Sequence, residues 1–173
     1  MTAVERARAI RLMAFDIDGV MTDGRLYFTP AGEEIKAFHS RDGVGIKMLQ
    51  SAGIGTAIVT GRTSRVVELR AQNLDIAFVK QGIDNKLAAL KELAGQLRLG
   101  LEQVGYMGDD IVDLAALRAC GFSASVPDGH PMVRGAADYV SQAAAGAGAV
   151  RDVCEFILQS QGRLEAAMRP YLE

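Results

Sequence analysis

Short apolar runs that alternate with segments of helical period limit the possible folds of this chain more than any other feature. The runs lack strict polar alternation, which is typical of strands covered on both faces. They span residues 10–17, 54–60, 76–80, 103–109 and 121–126, with a weaker sixth at 138–140. Between them, apolar residues recur every three or four positions. The pattern predicts an α/β fold with a Rossmann-like, doubly wound parallel sheet.

Residues 24–38 interrupt this alternation directly after the first predicted strand. The stretch "GRLYFTPAGEEIKAF" reads as two short strands around a turn at Pro30–Gly32, so we predict an inserted β-hairpin. Its apolar side chains cover too much area for a ribbon left in water, and we expect it to be an oligomerisation element. Because the hairpin and one helix fill the residues between Asp18 and Thr60, we predict no separate cap domain.

Composition narrows the class of protein. The 173 residues, 49% of them hydrophobic, suffice for one domain, and we predict that residues 1–173 form it. A net charge of −2 gives no basic footprint for nucleic acid or a membrane surface. No apolar run approaches the ~20 residues of a membrane helix or forms a signal peptide, so we expect a cytoplasmic location. Cys120 and Cys154 form no metal motif and are expected in the core.

Charged and polar residues stand at the ends of four predicted strands. Asp16 and Asp18 follow the first strand, Thr60 ends the second, Lys86 opens a helix after the third, and Asp109 ends the fourth. In an open parallel sheet, ligands bind beyond the carboxyl ends of the strands. We therefore predict that these residues meet in one crevice.

This set of residues suits a phosphate ester. Phosphate beside Asp16 would be repelled by about 4 kcal/mol for two unit charges at ~4 Å, so a cation is needed. Mg²⁺ prefers carboxylate and phosphate oxygens and fits a site at Asp16 and Asp109, while Lys86 and Thr60 would stabilise the transferred phosphoryl group. Asp16 would then attack phosphorus, and Asp18 would protonate the leaving oxygen and next activate water.

Four motifs, "DIDGVMTDG", "VTGR", "DNK" and "GDDIVD", resemble in residues and order the motifs of the haloacid dehalogenase superfamily of phosphatases. With this resemblance, the predicted metal ligands are Asp16, Asp18 and Asp109. Asp110 either caps the following helix or belongs to the site as a ligand or a supporting residue. Asp113 is expected to support the site.

Other stretches, including "GEEIKAFHSRDGVGIK" and "GAVRDV", resemble the capless subgroup that acts on eight- and nine-carbon sugar acid phosphates. The resemblance implies a Mg²⁺-dependent hydrolase that supplies octulosonate for lipopolysaccharide, a sugar acid phosphate as substrate, and a homotetramer whose neighbouring subunits complete each site. It implies that substrate is bound by Asp18, His39, Ser40, Arg41, Asp42, Gly43, Lys47, Arg62, Arg70 and Lys86. At the position after Thr60-Gly61 this chain has Arg62, and in this it resembles the enzymes that act on the eight-carbon substrate.

Two alternatives stay open at this point. A phosphatase of a nine-carbon, sialic-acid-type 9-phosphate would share every catalytic residue. A signalling receiver domain also places acids, a Thr and a Lys around a phosphorylated Asp and Mg²⁺, but its acidic pair lies on the first strand. Here the pair is Asp109 and Asp110, after the fourth.

Overall fold

The computed structural model describes residues 1–172, in which eight strands and eight α-helices follow one another along the chain. The strands are β1 (Leu12–Phe15), β2 (Tyr27–Phe28), β3 (Glu34–Ile35), β4 (Gly55–Val59), β5 (Phe78–Lys80), β6 (Val104–Met107), β7 (Phe122–Ser125) and β8 (Tyr139–Val140). The helices are α1 (Ala3–Arg8), α2 (Ser40–Ser51), α3 (Arg65–Asn73), α4 (Lys86–Leu97), α5 (Leu114–Ala119), α6 (Pro131–Ala136), α7 (Ala149–Ser160) and α8 (Leu164–Met168).

Six of these strands form one parallel sheet in the order β5-β4-β1-β6-β7-β8. Each apolar run predicted to be a strand, including the weaker sixth, contains one of them. From β1 the chain builds the sheet outward through β4 and β5, then returns to β6 on the other side of β1. The strand order therefore reverses between β1 and β6, and a ligand is expected at that point, beyond the carboxyl ends of both strands.

The side chains of β1 explain why the runs lack polar alternation. Met13 and Phe15 pack into a core shared with α1, α2 and α7, whereas Leu12 and Ala14 pack on the opposite face against α4 and α5. All four side chains are fully buried. Burial of a side chain as large as Phe15 stabilises the fold by about 1.5–3 kcal/mol.

The predicted hairpin is present as the antiparallel pair β2 and β3, in which Tyr27 faces Ile35 and Phe28 faces Glu34. Four of its large apolar side chains, those of Leu26, Tyr27, Phe28 and Ile35, are 40–56% exposed. No helix within residues 1–172 is both long and apolar enough to cross a membrane.

Candidate active site

A cleft of about 440 Å³ lies beyond the carboxyl ends of β1, β4 and β6. The hairpin side of the cleft is formed by Gly24 and Leu26. All residues predicted to be catalytic or to bind metal line it, namely Asp16, Asp18, Thr60, Lys86, Asp109 and Asp110. The switch point of the sheet therefore brings four distant segments of the sequence to one cavity.

Asp16 is held rigidly where β1 ends. Its backbone N–H donates to the carbonyl of Met107 at 3.0 Å, which ties it to the end of β6. Its carboxylate Oδ1 accepts a hydrogen bond from the N–H of Ile17 at 2.7 Å. The side chain is 8% exposed, so its position is set by the backbone of the turn rather than by solvent.

Lys86 is the first residue of α4 and is buried between two carboxylates. Its Nζ lies 2.5 Å from Asp16 Oδ2 and 2.5 Å from Asp113 Oδ1. Asp113 is fully buried, and its Oδ1 also accepts a hydrogen bond from the hydroxyl of Tyr106 at 2.7 Å. Its Oδ2 accepts from the backbone N–H groups of Asp109 and Asp110 at 3.0 and 3.1 Å. Asp113 thus orients the loop that carries Asp109.

The charges in this group shift one another's pKa values. Burial opposes the charged form of Lys86, but the adjacent Asp16 and Asp113 outweigh it and raise the lysine's pKa. Burial raises the pKa of Asp16, with the charge of Asp113 acting in the same direction. Burial and the charges of Asp16 and Asp113 together raise the pKa of Asp109 to about 7. The metal-free site therefore has more negative charge than Lys86 alone can balance.

The donor set fits a hard divalent cation. Carboxylate oxygens of Asp16, Asp109 and Asp113 lie within 4.8 Å of one another. Each oxygen of Asp113 already accepts two hydrogen bonds, whereas each oxygen of Asp16 accepts one, which leaves Asp16 and Asp109 as the carboxylates with acceptor capacity for an ion. Like charges at such a distance repel by on the order of 3 kcal/mol at an effective dielectric near 20, and a bound cation removes this cost.

Gly19 permits the close approach of the first loop to Asp109. Its φ is +84°, a conformation that disfavours residues with a side chain. A Cβ at this position would lie 2.1 Å from Asp109 Oδ2. Any larger residue would push the Asp109 carboxylate out of the group, so glycine is required for the site to form.

The Asp18 carboxylate lies apart from this group. Lys36 Nζ donates to its Oδ1, and Arg62 Nε lies 3.7 Å from its Oδ2. Glu34 contacts both cations, because its Oε1 lies 3.2 Å from Lys36 Nζ and 3.2 Å from a guanidinium nitrogen of Arg62. The side chain of Asp18 therefore lies in the cleft near its hairpin side, and its assignment as a metal ligand stays a prediction.

Asp110 and Thr60 each have a local structural contact besides their place in the cleft. Asp110 is exposed, and its Oδ1 caps the next turn by accepting from the N–H of Ile111 at 2.8 Å. Thr60 is 2% exposed, and its backbone bonds to Lys80 and Ile83 hold it at the end of β4. These contacts do not distinguish a structural role from a functional one. The roles of Asp110 at the metal site and of Thr60 in catalysis therefore stay predictions.

The other residues predicted to bind substrate lie outside this cleft, and most follow the hairpin at the start of α2. They are His39, Ser40, Arg41, Asp42, Gly43, Lys47 and Arg70. Arg41 and the backbone of Gly148 line a separate hollow of about 180 Å³. None of these residues lines the cleft of its own chain.

Several of these residues have contacts within the chain. Arg70 donates to the carbonyl of His39 at 3.3 Å and lies over the ring of Phe38 at 5.6 Å. A Cβ on Gly43 would lie 2.7 Å from the Arg70 guanidinium, so Gly43 packs directly against the end of the Arg70 side chain. Lys47 forms an ion pair with Asp75. The sequence-based assignment of these residues to substrate stays a prediction.

Sequence reasoning missed three residues that contact predicted site residues, namely Lys36 beside Asp18, Glu34 beside Arg62, and Tyr106 beside Asp113. Glu34 and Lys36 lie in the stretch "GEEIKAFHSRDGVGIK", which resembles the capless subgroup, but a two-residue strand does not reveal which way its side chains point. In the sequence, Tyr106 is indistinguishable from a core aromatic residue. A buried tyrosine needs a hydrogen-bond partner, which was the only available signal for Tyr106.

Known phosphatases are similar to this chain over nearly its whole length. A family model for haloacid dehalogenase-like hydrolases matches residues 74–153. The 3-deoxy-D-manno-octulosonate 8-phosphate phosphatase of Yersinia pestis is 45% identical over 164 residues, which is 95% of this chain and 88% of that protein. The enzyme of the same name from Escherichia coli K12 is 43% identical and covers 95% and 87%.

Solved structures give the same result. The crystal structure of 3-deoxy-D-manno-octulosonate 8-phosphate phosphatase from Moraxella catarrhalis, in complex with magnesium ion, phosphate ion and the sugar acid, matches with a TM-score of 0.96. It is 41% identical, and the match covers 98% of this chain and 97% of that one. A cobalt-bound phosphatase of the same kind from Haemophilus influenzae matches with a TM-score of 0.92 at 39% identity, covering 97% and 99%.

Proposed function

The chain belongs to the haloacid dehalogenase-like hydrolases, and from this membership we propose that it is the Mg²⁺-dependent phosphatase of 3-deoxy-D-manno-octulosonate 8-phosphate in lipopolysaccharide biosynthesis. Relatives of that name match nearly the whole chain, and one of them was solved with magnesium, phosphate and the sugar acid. The observation in this structure that carries the proposal is the meeting of Asp16, Lys86 and Asp109 in one cleft. The nine-carbon and receiver-domain alternatives are not favoured by these relatives.

Asp16 and Asp109 would hold the metal, with Asp18 as the predicted third ligand and Asp110 as a candidate fourth. When bound, Mg²⁺ supplies positive charge that offsets the repulsion between the phosphate and the Asp16 carboxylate. Lys86 fixes Asp16 by its contact with Oδ2 and adds a permanent positive charge beside the transferred phosphoryl group. The hydroxyl of Thr60 would donate to a phosphoryl oxygen.

The reaction proceeds in two steps at Asp16. An oxygen of Asp16 forms a bond to phosphorus as the bond to the sugar oxygen breaks, and Asp18 gives its proton to the departing oxygen. Asp18, now a carboxylate, then takes a proton from water as that water attacks the aspartyl-phosphate. The phosphate leaves, and Asp16 is restored with Asp18 protonated as at the start.

Substrate selection and assembly are the second part of the proposal. Arg62 lines the cleft and its side chain is 45% exposed, so we expect it to reach the sugar acid carboxylate. The exposed apolar hairpin supports a homotetramer, in which the residues at the start of α2, together with Lys47 and Arg70, would complete a neighbour's cleft. A cytoplasmic location remains part of the proposal.

Phosphate release from the eight-carbon and the nine-carbon sugar acid phosphates tests the proposal directly. We expect Mg²⁺-dependent turnover of 3-deoxy-D-manno-octulosonate 8-phosphate that is lost with a chelator and lost in Asp16→Asn. Asp75→Asn is the matched control, because Asp75 is 82% exposed and lies outside the cleft. A preference for the nine-carbon ester would overturn the substrate, and an active Asp16→Asn enzyme would overturn the mechanism.

A further inference from the structure

Lys36, the residue after β3, carries a buried charge that no predicted role uses. Its side chain is 2% exposed, although it belongs to a hairpin whose neighbouring side chains face solvent. A buried ammonium group is costly unless it is paired, and Lys36 has two carboxylate partners. One is Asp18 Oδ1, and the other is Glu34 Oε1 at 3.2 Å.

The contacts of Lys36 fix the orientation of the Asp18 carboxyl group. Lys36 Nζ donates to Oδ1, while Arg62 Nε lies 3.7 Å from the other oxygen, Oδ2. Arg62 is 45% exposed and its contact is long, so the buried lysine is the stronger constraint. Glu34 contacts both cations and so keeps them beside Asp18.

We propose that Lys36 is a positioning residue, which holds Asp18 in the orientation from which it protonates the leaving oxygen of the substrate. Oδ1 accepts from Lys36, so the proton is carried on Oδ2, and Glu34 remains the carboxylate partner of the buried ammonium group while Asp18 is neutral. This inference rests on the proposed function, in which Asp18 is the acid and base. Lys36 does not line the cleft, so it acts through Asp18 rather than on the substrate. Through this contact the hairpin becomes part of the catalytic machinery as well as a surface for assembly.

The dependence of the rate on the leaving group tests this role. The alkoxide of 3-deoxy-D-manno-octulosonate needs a proton as it departs, whereas the nitrophenolate of p-nitrophenyl phosphate does not. The ratio kcat/KM reports only the steps up to departure of the leaving group. We expect Lys36→Met to lower kcat/KM about 10–100-fold on the sugar phosphate and less than about threefold on p-nitrophenyl phosphate.

Three further measurements separate positioning from folding. The second step also needs Asp18, so Lys36→Met should release a burst of nitrophenolate that is stoichiometric with enzyme, followed by slow turnover. Lys36→Arg keeps a donor within reach of Asp18 and should recover most of the loss. Lys91→Met, which changes an exposed lysine of α4, should leave both esters unaffected. Light scattering on each variant checks that its assembly equals that of the wild type.

The Asp18→Asn variant separates failure of this inference from failure of the proposed function. Asp18→Asn, like Lys36→Met, should lower kcat/KM much more on the sugar phosphate than on p-nitrophenyl phosphate. The double variant should have nearly the same kcat/KM as Asp18→Asn alone. These rates are compared at saturating Mg²⁺, because Asp18 is also a predicted metal ligand. If Asp18→Asn then lowers kcat/KM equally on both esters, the acid role itself is wrong. If only Asp18→Asn discriminates, Lys36 does not position it. Should Lys36→Met not fold, Lys36→Gln replaces it, with the same pattern expected and an equal loss on both esters overturning the inference.

Discussion

At the scale of single residues, hydrogen bonds divide the acids of the site into two kinds. Both carboxylate oxygens of Asp113 accept two hydrogen bonds each from protein donors, namely Lys86, Tyr106 and two backbone N–H groups. Within residues 1–172 no protein donor bonds to the Asp109 carboxylate, and burial, together with the charges of Asp16 and Asp113, raises its pKa to about 7. The contacts of Asp113 are typical of a carboxylate that holds a loop in place, whereas those of Asp109 are typical of a carboxylate that binds a cation.

Asp109 gives a prediction for pH dependence in the metal-free protein. Its folded-state pKa, about 7, lies above the ordinary 3.8, so between these values the folded chain binds more protons than the unfolded one. Its contribution to stability is therefore complete below about pH 4 and is lost as the pH rises through about 7. In chelator, we expect Asp109→Asn to remove this part of the stability decline between about pH 4 and pH 7 in urea unfolding.

The control for this experiment is Glu165→Gln, which removes an exposed carboxylate of α8 outside the cleft and should keep the wild-type pH profile. Protons compete with the metal for the same carboxylate, so Mg²⁺ affinity should also rise with pH up to about 7. An Asp109→Asn profile parallel to that of the wild type would contradict the assignment.

At the scale of elements, the beginning of α7 depends on a residue far away in the sequence. Gly148 precedes this helix and offers no side chain to cap it. Asp42 in the first turn of α2 supplies the missing acceptor, since its Oδ1 accepts from the N–H of Arg151 at 2.9 Å. Asp42 is 1% exposed, and burial raises its pKa. The contact joins two helices that pack on the same face of the sheet.

Substitution of Asp42 tests this capping role against a role in substrate binding. We expect Asp42→Ala to lower the free energy of unfolding by about 1–2 kcal/mol, because the α7 N–H loses its acceptor in a buried place. Asp42→Asn keeps an oxygen acceptor and should lose less. Urea unfolding measures both variants, and Asp42→Ala as stable as the wild type would refute the cap.

The hairpin is the second element whose structure calls for a partner. Strands of two residues do not form a stable ribbon in water by themselves, and the exposed side chains of Phe28 and Ile35 need cover. We expect Phe28→Ser combined with Ile35→Ser to convert the assembly to monomers, as measured by light scattering. Leu69→Ser, at a similarly exposed residue of α3, should leave the mass unchanged. An unchanged mass in the hairpin variant would count against this interface.

At the scale of the whole molecule, the cleft is open, and seven residues predicted to bind substrate lie outside it. His39 and Arg41 belong to this set, and Arg41 instead lines a hollow beside α7. A sheet whose first crossover carries only a hairpin and α2 has no domain to close over the substrate. Association of identical chains is a direct way to close the cleft and to bring the distant arginines to it.

Mixed assemblies test this arrangement. Asp16→Asn lacks the nucleophile, and Arg41→Ala lacks a residue expected to serve a neighbour, so each assembly alone should be inactive on the sugar phosphate. Mixing them after dissociation should restore activity, because roughly a quarter of randomly assorted sites would combine an intact Asp16 with an intact Arg41. A mixture no more active than its separate components would mean that Arg41 does not act across the subunit boundary.

Much of the fold could be predicted because it depends on local pattern. Every run predicted to be a strand contains one, and the hairpin lies within the residues expected for it. The residues at strand ends share one cleft because parallel strands all end at the same edge of a sheet. The contacts of Asp42 with α7 and of Lys36 with Asp18 could not be predicted, because each joins segments whose separation depends on packing.

The sequence by itself determined the α/β class, the order of the strands along the chain and the acids that follow them, since apolar period and residue type are local properties. Only the tertiary structure decided that Asp113 is saturated by donors, that Lys86 lies between two carboxylates, and that the hairpin reaches the acid at position 18. These outcomes depend on distances of a few ångströms between remote segments, which are set by the packing of helices on both faces of the sheet.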